Sequence, residues 1–305
     1  GTALAGPNGR ITPTTPTVVY GGDQAFEISA DTGYHVADVM VDGNSVGAVT
    51  SYTFRNVTTT GHTIVATFAI DTFTVNATAG ANGTITPSGT TTVNYGSSQT
   101  YTVTPATGYH VESVLVDGTA ATVTAGSYTF SNVTANHTIA VTFAIDTYTL
   151  VATAGANGTI SPASIVVSHG GATTFTATAD PGFHVASLTV DGVPATLVGS
   201  SYTFTNITAN HTIAVTFAID TFTITATAGS NGSITPSGTT TVNYGTTHTY
   251  TVTPATGYHV ASILVDGTAA TLVGGTTYTF SNVTANRTIA VTFAIDTFTI
   301  TASAG

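Results

Sequence analysis

The chain has 305 residues, only 6% of which are charged, and it contains no cysteine. It has no lysine and three arginines, and its net charge of −11 argues against nucleic acid and anionic membrane surfaces as partners, because both require a basic surface. The lack of cysteine excludes disulfides and thiolate metal sites, and no apolar run in this segment is long enough for a membrane span. Apolar residues make up 42% of the chain, and its Val, Ile, Phe, Tyr and Thr side chains favour β-strands.

Three short markers recur in step along the chain and divide it into copies of one unit. Ala-Ile-Asp supplies Asp71, Asp146, Asp220 and Asp296. Gly-(Tyr/Phe)-His-Val begins at Gly33, Gly108, Gly182 and Gly257. Val-Asp-Gly supplies Asp42, Asp117, Asp191 and Asp266. The expected domains are a first repeat at 1–70 with a truncated opening strand, repeats at 71–145, 146–219 and 220–295, and an orphan first strand of a next repeat at 296–305.

The second repeat shows the predicted elements in chain order. Residues 72–80 alternate apolar and polar side chains, which predicts a strand with one buried face. Asn82-Gly83 follows and predicts a tight hairpin turn, and strands at 99–105 and 110–116 lead to another turn at Asp117-Gly118. No segment has a helical period over ten residues, so we expect about six or seven short strands per repeat.

The joint between repeats shows an abrupt change of the buried face. Apolar residues have odd numbers up to Ile145 and even numbers from Tyr148 onward, with Asp146 between them. A shift of one residue sends the side chains of a strand to the opposite face of the sheet. The last strand of one repeat is therefore predicted to run into the first strand of the next almost without a linker, which favours a stiff array.

The run ATAGANGTITPSGTTTVNYGSSQTYTVTPATGYHVESVLVDG and the closing SYTFSNVTANHTIAVTFA resemble divergent internalin-type B-repeats. The resemblance covers nearly the whole chain, and its most specific parts are GYHV…VLVDG and SYTFSNVTANHTI. It implies a small β-rich module, related to β-grasp domains, that serves as a stalk or spacer in secreted and surface-anchored bacterial proteins. With the strand pattern, it predicts an all-β fold: a linear tandem array of four small domains, β-grasp-related or sandwich-like, with no substantial helix.

No set of residues points to catalysis, to a metal or to a cofactor. Residues 43–47 match the nucleophile-elbow pattern Gly-x-Ser-x-Gly, but only in one repeat and beside a hairpin turn rather than before a helix. A zinc site is not expected, because the histidines occur singly and Arg287 replaces one of them in the fourth repeat. Turn chemistry explains the Val-Asp-Gly aspartates better than calcium does. Glu27 and Glu112 are the only glutamates, which leaves few carboxylates for acid–base chemistry.

Asparagine-linked glycosylation is a candidate modification, because Asn-x-Ser/Thr triplets recur in every repeat. A chain rich in asparagine and threonine also produces such triplets by accident. The candidate sites are Asn56, Asn132, Asn136, Asn206, Asn210, Asn282 and Asn286.

The two ends of the chain are complementary parts of one repeat. The start, GTALAGPNGRITP, aligns with VNATAGANGTITP, so that Gly1 falls at the position of Val75 and the preceding Asp-Thr-Phe-Thr is missing. Residues 296–299 supply this segment at the other end. Either the sequence is a segment of a longer array, or the tail adds as a strand to another copy and builds a head-to-tail filament.

The second alternative predicts a donor strand and an acceptor edge. The lack of lysine fits sheet edges that pair rather than repel. One difficulty is that residues 300–305 align with residues 1–6, so the two segments cannot occupy the same ladder position. The predicted donor residues are Asp296, Thr297, Phe298, Thr299, Ile300, Thr301 and Ala302. The predicted acceptor residues are Ala3, Ala5, Ile64, Ala66 and Phe68.

These features favour a non-catalytic extracellular or cell-surface protein that is secreted and serves as a fibre subunit or rigid stalk, with copies of itself as partners. The alternative is an adhesin or ligand-binding repeat region cut from a longer surface protein, with cell-surface or glycan ligands. Ice binding is disfavoured because a repeat of about 75 residues is long for a flat threonine array. An enzyme is the least favoured class, because no convergent reactive set occurs.

Overall fold

The structure is a computed structural model that describes residues 1–303. The chain forms two compact units, Gly1–Asp146 and Thr147–Gly305, and each unit contains two repeats. All regular elements of the described residues are β-strands, which confirms the all-β prediction. Within residues 1–303 there is accordingly no apolar helix of membrane-spanning length.

The strands of the first unit follow the repeat pattern. The first repeat contains β1 (Thr2–Ala5), β2 (Gly9–Thr12), β3 (Gly22–Ala30), β4 (Tyr34–Val41), β5 (Asn44–Ser45), β6 (Ser51–Val57) and β7 (Thr63–Ile70). The second repeat contains β8 (Thr72–Ala79), β9 (Gly83–Thr86), β10 (Gly89–Asn94), β11 (Gln99–Pro105), β12 (Tyr109–Val116), β13 (Thr119–Ala120), β14 (Ser127–Phe130) and β15 (His137–Ile145).

The strands of the second unit repeat the pattern of the second repeat. The third repeat contains β16 (Thr147–Ala154), β17 (Gly158–Ser161), β18 (Ser164–Ser168), β19 (Thr173–Ala179), β20 (Phe183–Val190), β21 (Val193–Ala195), β22 (Ser201–Phe204) and β23 (His211–Ile219). The fourth repeat contains β24 (Thr221–Ala228), β25 (Gly232–Thr235), β26 (Gly238–Asn243), β27 (His248–Pro254), β28 (Tyr258–Val265), β29 (Thr268–Ala269), β30 (Thr277–Phe280) and β31 (Arg287–Ile295).

Each complete repeat has two facing sheets. In the second repeat the larger sheet has the order β10-β8-β15-β12-β13 and the smaller one β14-β11-β9. The first and last strands, β8 and β15, are parallel neighbours, and the other pairs are antiparallel. The third and fourth repeats have the same two sheets. Buried residues from both sheets, such as Val75, Tyr101 and Ile139, form one core between them, as expected of a small sandwich.

The turns differ from the sequence prediction in one respect. Asp117 and Gly118 have φ of 52° and 78°, and they join the paired strands β12 and β13 as the predicted hairpin. Asn82 also has a positive φ, 70°, but the strands on its two sides lie in different sheets. Asn82-Gly83 is therefore an arch between sheets and not a hairpin turn. The short strand after each Val-Asp-Gly raises the count to eight in three repeats, where about six or seven were expected.

The first repeat has one strand fewer than the others. Residues 14–20, which correspond to β10, form no strand. In the second repeat β10 pairs with residues 72–77 of β8. The corresponding strand of the first repeat, β1, begins at Thr2, which corresponds to Asn76.

The buried face changes at the joint as predicted. Asp71 is the only residue between β7 and β8. Ile64 and Ala66 are buried in the core of the first repeat, whereas Val75 and Ala77 are buried in the core of the second. A single residue thus redirects the continuous backbone from one core to the next.

Candidate functional site

A single aspartate connects the first two repeats. The backbone N–H of Asp71 donates to the Gly33 carbonyl oxygen at 2.9 Å, and its own carbonyl oxygen accepts from the Tyr95 N–H at 2.8 Å. Its Oδ1 lies 2.8 Å from Nδ1 of His35. The aspartate is therefore bonded to the repeat before it through Gly33 and His35, and to the repeat after it through Tyr95. The joint between the third and fourth repeats has the same bonds, from Asp220 to Gly182, His184 and Tyr244.

An aromatic ring covers a glycine across the same joints. Gly33 has a φ of +83°, and a Cβ atom placed on it would lie 2.3 Å from Cδ1 of Tyr95. Gly182 has the same φ of +83°, and its Cβ would lie 2.2 Å from Cδ1 of Tyr244. Only glycine tolerates both this backbone conformation and this close approach. The sequence marked the glycines as repeat positions but gave no sign of the contact, because each tyrosine belongs to the following repeat.

The first repeat contains an open cavity of about 370 Å³ beside its core. Its apolar wall is formed by Val18, Phe26, Phe54, Val57 and Ile64. The corresponding residues of the second repeat are Val93, Tyr101, Phe130, Val133 and Ile139, and all of them belong to a filled core. The wall of the cavity is therefore formed by the residue positions that form the core in the second repeat.

Two side chain positions distinguish the filled core of the second repeat from the cavity of the first. In the second repeat Val75 is fully buried within this set of residues, and Phe73 packs against the same cluster. In the first repeat Gly1 stands at the position of Val75, and no side chain of residues 1–303 occupies the position of Phe73. The third repeat fills the two positions with Tyr148 and Leu150, and the fourth fills them with Phe222 and Ile224.

The tail carries apolar side chains at the same two repeat positions, and both side chains are exposed. Residues 297–303 form no strand, and Phe298 and Ile300 are 89% and 94% exposed. Asp296, in contrast, already has the geometry of a joint: its N–H donates to Gly257 at 2.9 Å, and its Oδ1 lies 2.9 Å from Nδ1 of His259. Residues 304–305 of the predicted orphan strand lie outside the described residues.

Family comparison agrees with the repeat architecture. The model of the divergent InlB B-repeat domain matches residues 73–147, 148–221 and 222–297, which together make up most of the chain. The chain belongs to the divergent InlB B-repeat family. Such B-repeats come from bacterial surface proteins. The three matched segments leave out residues 1–72, the region that contains the cavity.

Solved structures give only distant likenesses to this B-repeat protein. The TIE protein of Bacillus anthracis is 9% identical with a TM-score of 0.38, over 93% of this chain and 74% of that one. The pilus adhesin SpaC from Lactobacillus rhamnosus GG is 8% identical with a TM-score of 0.19, over 97% of this chain and 55% of that one. Scores this low carry no argument about function. No curated protein matches the chain.

The acceptor edge predicted from the sequence is already occupied in the first B-repeat. Residues 2–5 of β1 pair in parallel with residues 63–66 of β7, so Ala3 lies opposite Ile64 and Ala5 opposite Ala66. The ring of Phe68 fills the space beside Gly9. The cavity lies instead beside Gly1 and Thr2, at the amino-terminal end of this ladder.

A second set of aspartates anchors the last strand of each B-repeat. In the first three repeats Nδ1 of a histidine lies 2.7 Å from the Val-Asp-Gly carboxylate, and the pairs are His62–Asp42, His137–Asp117 and His211–Asp191. The fourth repeat uses Arg287 with Asp266. From the sequence these histidines were interpreted as single residues, although their recurrence with an aspartate 20 residues earlier could have indicated the pairs.

These contacts change the acidity of three carboxyl groups. The backbone N–H of Thr63, followed by the His62 side chain, lowers the pKa of Asp42. The His137 side chain, followed by the Thr138 N–H, lowers the pKa of Asp117. For Asp191 the Thr212 N–H and then His211 lower the pKa in the same way. Each bond favours the ionised carboxylate, so these groups serve as turn anchors.

The described residues contain no group of three or more His, Cys, Asp and Glu side chains with the spacing of a metal site.

The candidate glycosylation asparagines are all exposed. Four of them adopt a positive φ at the end of a strand, namely Asn56, Asn132, Asn206 and Asn282. The other three accept a backbone N–H from the opening strand of their repeat, and these pairs are Asn136–Thr74, Asn210–Thr149 and Asn286–Thr223. Glycosylation at these sites stays a prediction.

Proposed function

We propose that this protein is a non-catalytic extracellular structural subunit that polymerises head to tail by strand addition. Residues 297–302 of one copy enter the cavity in the first repeat of the next copy. One observation carries the proposal: Gly1 stands at the repeat position of Val75 beside the cavity, and the exposed Phe298 and Ile300 of the tail have the repeat positions of Phe73 and Val75.

The hydrophobic effect supplies the driving force. Burial of each of these two side chains contributes about 1.5–3 kcal/mol relative to exposure in water. The walls that would receive them, including Phe26, Phe54 and Ile64, already have the arrangement of a repeat core. Little rearrangement of the acceptor is needed, which limits the cost of association.

The tail takes the place of β1 in this proposal instead of lying beside it. In the repeat alignment Ile300 and Ala302 correspond to Gly1 and Ala3. In this exchange the tail from Thr301 onward takes the positions of β1 from Thr2 onward and makes the same backbone hydrogen bonds to β7. The exchange keeps an alanine at the position of Ala3 and adds Ile300 and Phe298. The burial of these two apolar side chains therefore provides the net gain in binding free energy. Strand exchange also removes the conflict between residues 300–305 and residues 1–6.

The contact is heterologous, since the tail and the cavity are different surfaces of the molecule. A subunit that has bound one neighbour through its tail keeps its own cavity open for another. Contacts of this kind propagate into a filament unless they close a ring. Low charge along the pairing segments favours the process, because residues 297–303 contain no charged side chain.

The test uses the full chain with two variants that add the same charge one residue apart. Phe298→Asp places a carboxylate at the inward-facing donor position and should leave the protein monomeric. Thr299→Asp is the matched control, since neighbouring side chains of a strand face opposite sides. Sedimentation velocity gives the size distribution, and negative-stain microscopy gives the subunit spacing.

Polymers of the wild type and of Thr299→Asp, with monomers of Phe298→Asp, would support strand addition. Two results would overturn it: a wild type that remains monomeric at high protein concentration, or Phe298→Asp filaments with unchanged subunit spacing.

A further inference from the structure

We propose that β18 of the third repeat is a docking edge on which a second copy of this chain adds its own β18 as an antiparallel strand. The contact is symmetric, and it uses neither the tail nor the cavity, so it does not depend on the proposed head-to-tail polymerisation. It joins the larger sheets of two third repeats into one sheet that is continuous across the two molecules.

The larger sheet of the third repeat has one open edge and one protected edge. Its order is β18-β16-β23-β20-β21, so β18 and β21 are the edge strands. Pro194 lies in β21 and has no N–H for a further ladder. β18 contains neither proline nor a charged side chain, the residue types that commonly block pairing at an edge. Within residues 1–303, β16 is the only strand that pairs with β18.

The backbone of β18 directs alternate residues to its free side. The Ala152 N–H donates to the Ala163 carbonyl oxygen at 2.8 Å, in the same register that pairs β16 with β18. The hydrogen-bonding groups of an antiparallel strand alternate between its two sides, so the odd-numbered residues of β18 bond β16. Ser164, Val166 and Ser168 therefore direct their N–H and C=O groups away from β16.

The sequence of β18 suits pairing with its own copy. Its residues are Ser-Ile-Val-Val-Ser, and an antiparallel pair centred on Val166 places Ser164 opposite Ser168 and Val166 opposite its copy. Each residue with free backbone groups then meets another such residue. The Ser168 carbonyl oxygen, which accepts the Gly171 N–H at 2.9 Å, has a second lone pair for the partner. A two-fold contact requires this self-complementarity.

Valine side chains provide an apolar surface beside the free edge. Val166 is 62% exposed, and Val151 of β16, its diagonal neighbour on the same face of the ladder, is 42% exposed. The position of Val166 is held by Thr92 in β10 and by Thr241 in β26. Among these three corresponding edge strands, β18 is thus the one whose central outward residue is apolar.

The distribution of charge favours a second copy as the partner. A two-fold contact brings each segment against its own copy, so like charges within it would repel. Residues 147–179, which include β16, β18 and the segments that connect them to β19, contain no Asp, Glu, Lys or Arg. The edges can therefore meet without repulsion although each chain has a net charge of −11. One pair of five-residue strands is small beside standard interfaces of about 1,200–2,000 Å², so we expect a weak dimer.

Disulfide crosslinking of the full chain tests the register, because the chain contains no cysteine of its own. Val166→Cys places two thiols opposite each other, on Cα atoms about 5.5 Å apart, a distance that suits a disulfide. Ser164→Cys is the control for register, since its two copies lie about 13 Å apart along the strands. Thr241→Cys is the control for the choice of strand, at the same position of β26.

Sedimentation velocity at high protein concentration measures the affinity of the dimer. All chains in this experiment carry Phe298→Asp, so that association through the tail does not contribute. Val166→Lys places two like charges at the centre of the contact and should weaken the association constant at least about tenfold, or about 1.4 kcal/mol. Thr241→Lys is the matched control and should leave it unchanged. Thermal denaturation verifies the fold of each variant, and the cysteine variants carry the test if Val166→Lys misfolds.

The outcomes decide the contact separately from the proposed function. Oxidation that links Val166→Cys into dimers faster than both cysteine controls, with weaker dimers of Val166→Lys, would support pairing through β18. Equal crosslinking rates of the three cysteine variants, a Phe298→Asp chain that stays monomeric, or a folded Val166→Lys chain with unchanged affinity would overturn it. A failure of strand addition by the tail changes none of these results, because the crosslinks report only on β18 and its counterpart β26.

Discussion

The first and second repeats have the same walls but different contents. Phe26, Phe54 and Ile64 border a cavity in the first, whereas their counterparts in the second enclose Val75. Both repeats have the parallel ladder between their first and last strands, over four residue pairs in one and five in the other. The comparison teaches that the parallel ladder forms both beside an open cavity and beside a core that Phe73 and Val75 fill.

The largest effect is expected when a core side chain is removed from a complete repeat. Ile224→Ala should lower the free energy of unfolding by about 2–5 kcal/mol, because the side chain is fully buried and its loss leaves a cavity. Ile300→Ala is the matched control at the same repeat position, and in the dilute monomer its effect should stay within about 0.5 kcal/mol. Denaturant titration measures both, and equal effects would contradict the assigned burial.

A second test asks whether the tail replaces β1. A chain with Phe298→Asp, which disables its own tail, is titrated with a fluorescent peptide of the sequence 296–305. Adding Ala3→Asp places a charge at a buried position of β1 and favours its displacement, so the peptide should bind about tenfold more tightly. Leu4→Asp is the matched control, since Leu4 is exposed on the opposite face. Weaker binding with Ala3→Asp would mean that the peptide lies beside β1.

The smallest effect is expected for stability in acid, which depends on the turn aspartates. The pKa of Asp42, Asp117 and Asp191 is lowered in the folded protein, so their ionised forms stabilise it. This contribution is complete above the ordinary value of 3.8 and is lost as the pH falls through the lowered pKa. Thermal denaturation should therefore show a lower midpoint below about pH 4.

The variant Asp117→Asn isolates one of the three groups. It should be slightly less stable than the wild type at pH 7, by less than the effect of Ile224→Ala, because the pair is largely exposed. The difference should shrink as the pH falls from 3.8 through the lowered pKa of Asp117, because protonation removes from the wild type the contribution that the variant lacks. A difference that is constant across this pH range would rule out ionisation as the cause.

Much of the fold could be predicted because it depends on local pattern. Alternation over residues 72–80 predicted a strand, and the change of parity at Asp71 and Asp146 predicted where one core ends and the next begins. The sandwich connection at Asn82-Gly83 was mistaken for a hairpin. A positive φ can be recognised from an Asn-Gly pair, but whether the flanking strands pair depends on residues far away in the sequence.

The two halves of the candidate site stand differently. The donor residues Phe298 and Ile300 come from the repeat alignment and stay a prediction, whereas the acceptor was placed on the edge of Ile64 and Ala66, which β1 already covers. The contact of Tyr95 with Gly33 and the pair of His137 with Asp117 join residues from distant segments. Local apolar–polar alternation does not show which distant segments meet, and only the 20-residue spacing of histidine and aspartate, present in three repeats, pointed to the second of these contacts.

The sequence by itself determined the strand period, the four-fold repetition and the switch of the buried face at each joint, because these follow from the order of apolar and polar residues along the backbone. Only the tertiary structure decided which strands are neighbours and where the cavity beside the first core lies. Those properties depend on side chains that meet across the two sheets and across the joints, and their geometry is fixed only when the chain has folded.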